Sequence, residues 1–338
     1  MNPLAIALPA AVAIAAIALL RRSPLAAKVL DEPGERSLHA IAKPRIGGIG
    51  LMLGALPVAF ALGTPEVRLL ALAAAALALV SLVDDARPLP VAVRLPCHFA
   101  ASAMAVAVAW PEGAPPDAGT VTGAAIAFLA IAWMANLFNF MDGADGLAGG
   151  MATIGFGALG LAAFGAGDGA IGNACLATAA AAAGFLAFNF PPARVFMGDA
   201  GSVPLGFLAG ALGWLGAAKG LWPAWFPLLV FSPFVVDASV TLARRVAGRE
   251  PILVAHRSHY FQRLVLSGWS HRRLALASWG LMALCAASAL FALGKPGGLQ
   301  GAIIFAWALA YGVLLVRIDR RHPRGQEGSG SRPPGSLR

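Results

Sequence analysis

VRLLALAAAALALVSLVDDARPLP, residues 67–90, begins with seventeen residues that hold a single charge, Arg68, and then sets two aspartates side by side. A helix that crosses a bilayer needs about 20 predominantly apolar residues, and this run with its flanks meets that need. Working outward, the chain repeats the theme. Its 338 residues are 59% hydrophobic and 12% charged, with a mean hydropathy of +0.75. Ordinary soluble domains are about 45–50% apolar and about 25% charged. A large soluble protein with an oversized core is excluded by run length, since 2–20 and 67–83 each hold at most one charge. The composition is that of an all-α, polytopic membrane protein.

Hydropathy predicts about eleven spans, near 2–20, 46–63, 67–83, 96–110, 121–138, 148–165, 169–188, 202–217, 222–242, 272–293 and 298–318. With the N-terminus outside, 22 of the 25 Lys and Arg fall on the inner side, leaving Arg68, Lys219 and Lys295 outside. That asymmetry is what the positive-inside rule expects, and it places the C-terminus in the cytoplasm. The first span lacks the basic start of a secretory signal. Cys97, Cys175 and Cys285 are scattered without metal-ligand or disulfide spacing and read as small apolar residues. Residues 1–318 are expected to form one membrane-embedded domain. Residues 319–338, rich in Arg, Pro, Gly and Ser, read as a basic disordered tail suited to anionic lipid.

Five polar clusters interrupt the apolar chain, and this topology sends all five to the cytoplasmic face. They are DEPGERSLHAIAKPRIGG (31–48), DDARPLPVAVRL (84–95), NLFNFMDGADGLAGG (136–150), FNFPPARVFMGDAGS (188–202) and AHRSHYFQRL (255–264). Asp84 and Asp85 close a helix at the end whose dipole favours cations, so a structural role there is not expected. Asn136, Asn139 and Asp142 share one face of a helix end. Asp199 sits between Gly198 and Gly201, where backbone can approach a ligand closely; Asp199 or Ser202 as a helix N-cap is the competing reading. His256 and His259 share a face if helical and, with Arg257 and Arg263, suit phosphate better than a metal; a solvated basic loop is the alternative. Two carboxylates about 5 Å apart at an effective dielectric of about 20 repel by about 3 kcal/mol, so several acids meeting at one surface require a cation. Oxygen ligands with substrate phosphate are the preference of Mg²⁺.

In this order and spacing the clusters resemble the polyprenyl-phosphate N-acetylhexosamine-1-phosphate transferases, over about residues 1–320. The family pattern N-x-x-N-x-x-D-G-x-D-G-L-A stands at Asn136, Asn139, Asp142, Gly143, Asp145, Gly146, Leu147 and Ala148. F-N-x-x-P-A-x-x-F-M-G-D-x-G-S stands at Phe188, Asn189, Pro192, Ala193, Phe196, Met197, Gly198, Asp199, Gly201 and Ser202. The acid pair is Asp84–Asp85, with Leu89 and Arg94 after it, and the early elements fall on Arg36, His39, Pro44, Gly47 and Gly48. The last inner loop, H-R-S-H-Y, departs from the H-x-H-H of peptidoglycan-type members. It resembles the O-antigen and lipopolysaccharide branch, which makes the muramoyl-pentapeptide branch the least favoured.

The resemblance implies a bacterial inner-membrane enzyme that moves an N-acetyl sugar-1-phosphate from a UDP-sugar to polyprenyl (undecaprenyl) phosphate, releasing UMP. It implies Mg²⁺, with Mn²⁺ as a substitute, held by Asp199 with Asn189 nearby. Asp145, Gly143 and Phe196 would hold the uridine. Asp84 and Asp85 would serve the lipid phosphate. Asp142 and Asn139 would complete a polar floor, and His256, Arg257 and His259 would bind diphosphate. Arg94, Arg36 and His39 join the substrate-binding set. The expected partners are the two substrates and the membrane; a homodimer is compatible, and nucleic acid is not expected. The rivals are a secondary transporter, which keeps ionisable groups near mid-membrane where this chain places only Asp237 inside a span, and a polytopic prenyltransferase, whose N-D-x-x-D-x-x-x-D pattern is absent.

Overall fold

The computed structural model describes residues 4–34, 38, 41–110, 116–251 and 256–321. Arg36 and His39 lie outside the described residues, as do residues 322–338 of the expected tail. The chain is built of helices α1 (Leu4–Leu20), α2 (Pro24–Lys28), α3 (Gly47–Leu62), α4 (Pro65–Ala86), α5 (Val91–Val108), α6 (Ala118–Met141) and α7 (Leu147–Gly165). They are followed by α8 (Gly169–Asn189), α9 (Asp199–Ala218), α10 (Trp225–Val230), α11 (Ser232–Ala247), α12 (Tyr260–Leu266), α13 (His271–Ala292) and α14 (Gly297–Arg321). Between α2 and α3 two short strands, β1 (Leu30–Asp31) and β2 (Lys43–Pro44), pair antiparallel, with Leu30 opposite Pro44 and Asp31 opposite Lys43.

Eight of these helices are long and apolar enough to cross a membrane, and α1 and α3 are shorter apolar helices. The chain is therefore an all-α, multi-pass membrane protein. The expected span at 222–242 is two helices. Pro233, in the first turn of α11, has no N–H to continue the hydrogen bonding of α10, and the chain turns at Phe231. The last helix runs to Arg321, past the expected end of the membrane domain at 318. Asp319 accepts from Arg244 (2.6 Å), Arg263 (2.8 Å) and Tyr260 Oη (3.3 Å), so it belongs to the packed structure and not to a free tail.

Helices α7, α8 and α9 form the interior, enclosed by α1, α3, α4, α6 and α13. Small residues let these helices approach closely without a large apolar driving force between them. A Cβ at Gly48 would collide with the backbone of Gly201, and one at Gly206 with the backbone of Met134. At the periphery, α14 turns most of its surface outward and buries Tyr311 and Ile318. Tyr311 Oη lies 2.7 Å from Ser232 Oγ, a hydrogen bond that ties α14 to α11. Helices α6 and α8 start with side-chain caps: Asp117 accepts from Thr120 N (2.8 Å) and Asp168 from Ile171 N (2.9 Å).

Candidate active site

The C-terminal ends of α4 and α6 and the N-terminal ends of α3, α7, α9 and α13 meet at one end of the bundle, around a cavity of about 280 Å³. Its wall includes Asp31 and Arg45 from the first polar cluster, Asn139 and the 142–145 turn from the third, Asn189, Phe196, Gly198 and Asp199 from the fourth, and Gln262 from the fifth. The second cluster touches the wall from behind through Asp85. Five segments spread over more than two hundred residues thus contribute to one site, as the clustering of charge required.

The site is assembled largely by backbone. Phe196 N donates to Pro44 O (3.0 Å), Gly47 N to Phe196 O (2.9 Å) and Gly48 N to Met197 O (2.8 Å), laying the first cluster along the fourth. Asn189, 3% exposed, uses both ends of its carboxamide. Its Oδ1 accepts from Gly146 N (2.8 Å) and its Nδ2 donates to Val195 O (3.0 Å), which brackets the third cluster to the fourth. Gly146 has φ +76°, the left-handed region that glycine enters without a Cβ penalty, and there the chain turns into α7. Asp145 is buried; its Oδ2 accepts from Ala193 N (2.9 Å) and lies 3.9 Å from Lys43 Nζ.

The acid pair behaves differently from its sequence reading, in which a structural role was not expected. Asp84 accepts from Leu89 N (2.6 Å) and from Arg94 (2.8 Å), closing the turn into α5. The Asp85 carboxylate is fully enclosed and accepts from Asp199 N (3.2 Å) and Ala200 N (3.1 Å). Asp85 therefore opposes the dipole of its own helix but caps the N-terminus of α9, where a carboxylate is favoured. The competing N-cap residues do not cap: the N-cap position is Gly198, and Ser202 Oγ accepts from Asn139 Nδ2 (3.1 Å).

Four carboxylates line the cavity, Asp31, Asp142, Asp145 and Asp199, and among the described residues Arg45 is the only Lys or Arg in its wall. Arg45 pairs with Asp31 and lies 3.5 Å from Asp85, while Arg94 lies 3.9 Å from Asp199 at the rim. Burial, and then repulsion by Asp199 and Asp85, push the Asp142 carboxyl well above the usual carboxylate range, against the pull of Arg45. Among the described residues no group of three or more His, Cys, Asp or Glu could hold a metal unaided. A hard cation that keeps waters and substrate phosphates in its shell needs only one or two carboxylates, and Asp142 and Asp199 supply all-oxygen donors of that kind.

The fifth cluster is placed less directly. Gln262 reaches the cavity wall; His256, Arg257 and His259 do not. Buried His259 stacks between His256 (5.0 Å) and Phe261 (5.8 Å). Its Nδ1 lies 3.2 Å from Asp237 Oδ1, and Asp237 also accepts from Tyr260 N and Phe261 N, both at 3.0 Å. Asp237, the one carboxylate the sequence places within a span, thus holds the start of α12, and Phe261 in turn packs on Gly143.

The sequence reading did not single out Lys43, Arg45, His271 or Gln262. Lys43 lies 4.9 Å from the Phe196 ring centre, a cation–π distance. Arg45 and Lys43 stood inside a quoted cluster, so their charge was a usable signal. His271 gave none, since it opens an apolar span. Its Nδ1 accepts from Asp145 N (3.2 Å), which leaves Nε2 as the donor to Leu38 O (3.2 Å).

Fold and site together define a multi-pass membrane protein with an acid-lined cavity where its helices end. Residues 67–217 match the model of glycosyl transferase family 4. The chain is 30% identical, over 75% of its length and 74% of the relative's, to a probable undecaprenyl-phosphate N-acetylglucosaminyl 1-phosphate transferase of Bacillus subtilis. It is 28% identical to a decaprenyl-phosphate N-acetylglucosaminephosphotransferase of Mycolicibacterium smegmatis, over 87% of this chain and 83% of that one. A phospho-N-acetylmuramoyl-pentapeptide-transferase of Levilactobacillus brevis is 34% identical over 49% of this chain and 51% of its own. The chain belongs to glycosyl transferase family 4, the polyprenyl-phosphate N-acetylhexosamine-1-phosphate transferases.

Proposed function

We propose that the protein transfers an N-acetylated sugar-1-phosphate from a UDP-sugar to polyprenyl phosphate and so starts a cell-surface glycan. The observation that carries this reading is the convergence of four separate polar clusters on one acid-lined cavity, with Asp85 of a further cluster bonded to the start of α9 behind its wall. An acidic cavity repels a diphosphate unless a cation intervenes, and the donor chemistry of Asp142 and Asp199 suits Mg²⁺. When bound, that ion would neutralise charge on the diphosphate.

An oxygen of the lipid phosphate attacks the β-phosphorus of the UDP-sugar. The bond from that phosphorus to the bridging oxygen breaks, and UMP leaves with the electron pair. Direct attack suffices because a phosphate oxyanion needs little beyond position. Asp199 and Asp142 face the diphosphate from the cavity wall, and Arg94, at the rim, is the nearest cation to Asp199. Phe196, with Lys43 over its ring, offers a wall for the uracil, beside Gly143 and Asp145. Asn139 fixes the first turn of α9 through Ser202. Asp85 holds the peptide N–H groups that start α9 and thereby sets the direction of Asp199. His256, Arg257 and His259 stand behind the cavity wall, and Gln262 is the residue of that loop that would meet the diphosphate.

The charge asymmetry of the loops supports an inner-membrane protein with this cavity on the cytoplasmic face. The H-R-S-H loop supports an O-antigen or lipopolysaccharide type of product. N-acetylglucosamine is the second reading, favoured by what the Bacillus and Mycolicibacterium relatives are named for. Purified protein given polyprenyl phosphate, Mg²⁺ and a panel of UDP-N-acetyl sugars is expected to release UMP with one or a few of them. No UMP from any would overturn the reading.

A further inference from the structure

Helix α14 has a narrow hold on the rest of the protein. It packs on α12 and α13, and of its 25 residues only Tyr311 and Ile318 are buried. Between helices in hydrocarbon there is little apolar driving force, so polar contacts decide where such a helix sits. One is Tyr311 on Ser232. The other is in the last turn, where Asp319 faces α11 and α12.

A carboxylate at a helix C-terminus opposes the helix dipole and is unfavourable there unless cations meet it. Two do. Asp319 Oδ2 accepts from Arg244 of α11 (2.6 Å), and its Oδ1 from Arg263 of α12 (2.8 Å). The same two guanidinium groups lie over the ring of Tyr260, 5.4 and 4.9 Å from its centre. Tyr260 Oη donates to Asp319 Oδ2 (3.3 Å). Tyr260 and Arg263, both buried, are three residues apart and share one face of α12.

At 3.6 residues per turn, Phe261 and Gln262 fall on the opposite face, and that face belongs to the active site. Phe261 packs on Gly143, and Gln262 lines the acidic cavity. Gln262 Oε1 accepts from His259 N (3.2 Å), which turns the Nε2 end of its carboxamide toward Gly143. A helix of seven residues does not hold its own place, since isolated helices need about 12–15 to be even marginally stable. The contacts on its two faces therefore decide where Gln262 stands.

We propose that Asp319 is a positioning residue of the active site: by holding Arg263 and Tyr260 from one side, it sets where Gln262 stands in the cavity wall on the other. The assignment rests on the transferase reading above, in which Gln262 meets the diphosphate. Asp319 is outside the cavity wall and acts only through α12.

In detergent-folded, full-length protein, Asp319→Asn keeps the shape of the side chain but leaves one acceptor for two guanidinium groups. Its kcat for UMP release should fall about tenfold or more, because small displacements at a reacting centre cost that much. KM for the UDP-sugar should change little. Asp319→Glu, which can restore both charge-assisted bonds, should recover much of the loss. Arg263→Gln, a second way to break the same link, should cost about as much alone as together with Asp319→Asn. Arg320→Gln, exposed on the same turn, should leave both constants as in wild type. Amide hydrogen exchange at 260–266 should speed up in Asp319→Asn and stay unchanged in Arg320→Gln. A wild-type kcat per folded molecule, a loss carried by KM alone, additive costs of Arg263→Gln and Asp319→Asn, or unchanged exchange at 260–266 would each overturn the assignment and leave the transferase standing. Faster exchange there in Asp319→Asn, with wild type releasing no UMP from any UDP-sugar, would keep the hold on α12 and sink the transferase reading instead.

Discussion

Replacing Asp142 with Asn keeps the shape of the side chain and removes its charge from the cavity. Asp142 and Asp199 line the same cavity, and repulsion by Asp199 is one of the causes that raise the Asp142 carboxyl. At an effective dielectric of about 20, two unit charges about 8 Å apart repel by about 2 kcal/mol. In EDTA, Asp142→Asn should therefore raise the thermal midpoint in detergent by a few degrees. With Mg²⁺ at about 100 times its Kd, wild type should gain about 2.7 kcal/mol, and the variant should gain little. UMP release should fall about 100-fold or more, the usual cost of losing one electrostatic group at a phosphoryl-transfer site. The sign of the pH effect follows from the raised pKa of Asp142. A carboxyl whose pKa is higher folded than unfolded favours folding below about pH 4, and that contribution is lost as pH rises through the folded value. Metal-free wild type should thus lose stability on that rise, and the variant should lose less. A variant that is less stable in EDTA and still gains fully from Mg²⁺ would refute the reasoning.

Asp237→Asn keeps an acceptor for only one of the Tyr260 and Phe261 amides, which meet different carboxylate oxygens, and weakens the hold on His259. Turnover should fall about tenfold or more with UDP-sugar KM little changed, and Asp237→Glu should recover part of it; a purely KM effect in UMP-release kinetics would argue against positioning. Gly48→Ala should be among the most damaging single-methyl changes, since both collision partners are backbone; a cost of more than about 2 kcal/mol is expected, read as early aggregation on heating in detergent. A thermal profile like wild type would contradict the packing described.

Much of the fold was legible because bilayer solvation is written locally. An apolar run such as 67–83 has one stable solution in hydrocarbon, a helix that satisfies its own backbone. Helix ends were less legible. The α4 helix carries Asp84 and Asp85 within it, and α5 begins at Val91, so that Arg94 is helical. Capping and pairing decide those ends, and the partners of Asp84 are several residues away. The break at Phe231 needed the proline geometry of α11, which hydropathy averaging smooths over.

The sequence by itself determined most of the apolar helices and the residue types that a phosphate site needs, because each follows from neighbours along the chain. Only the tertiary structure decided what those residues do to one another. Asp85 and the amides it caps are 114 residues apart, and His271 reaches Asp145 across 126. No local rule joins such pairs. They meet because α4 packs on α9 and α13 on α7, which brings the ends of those helices to one cavity.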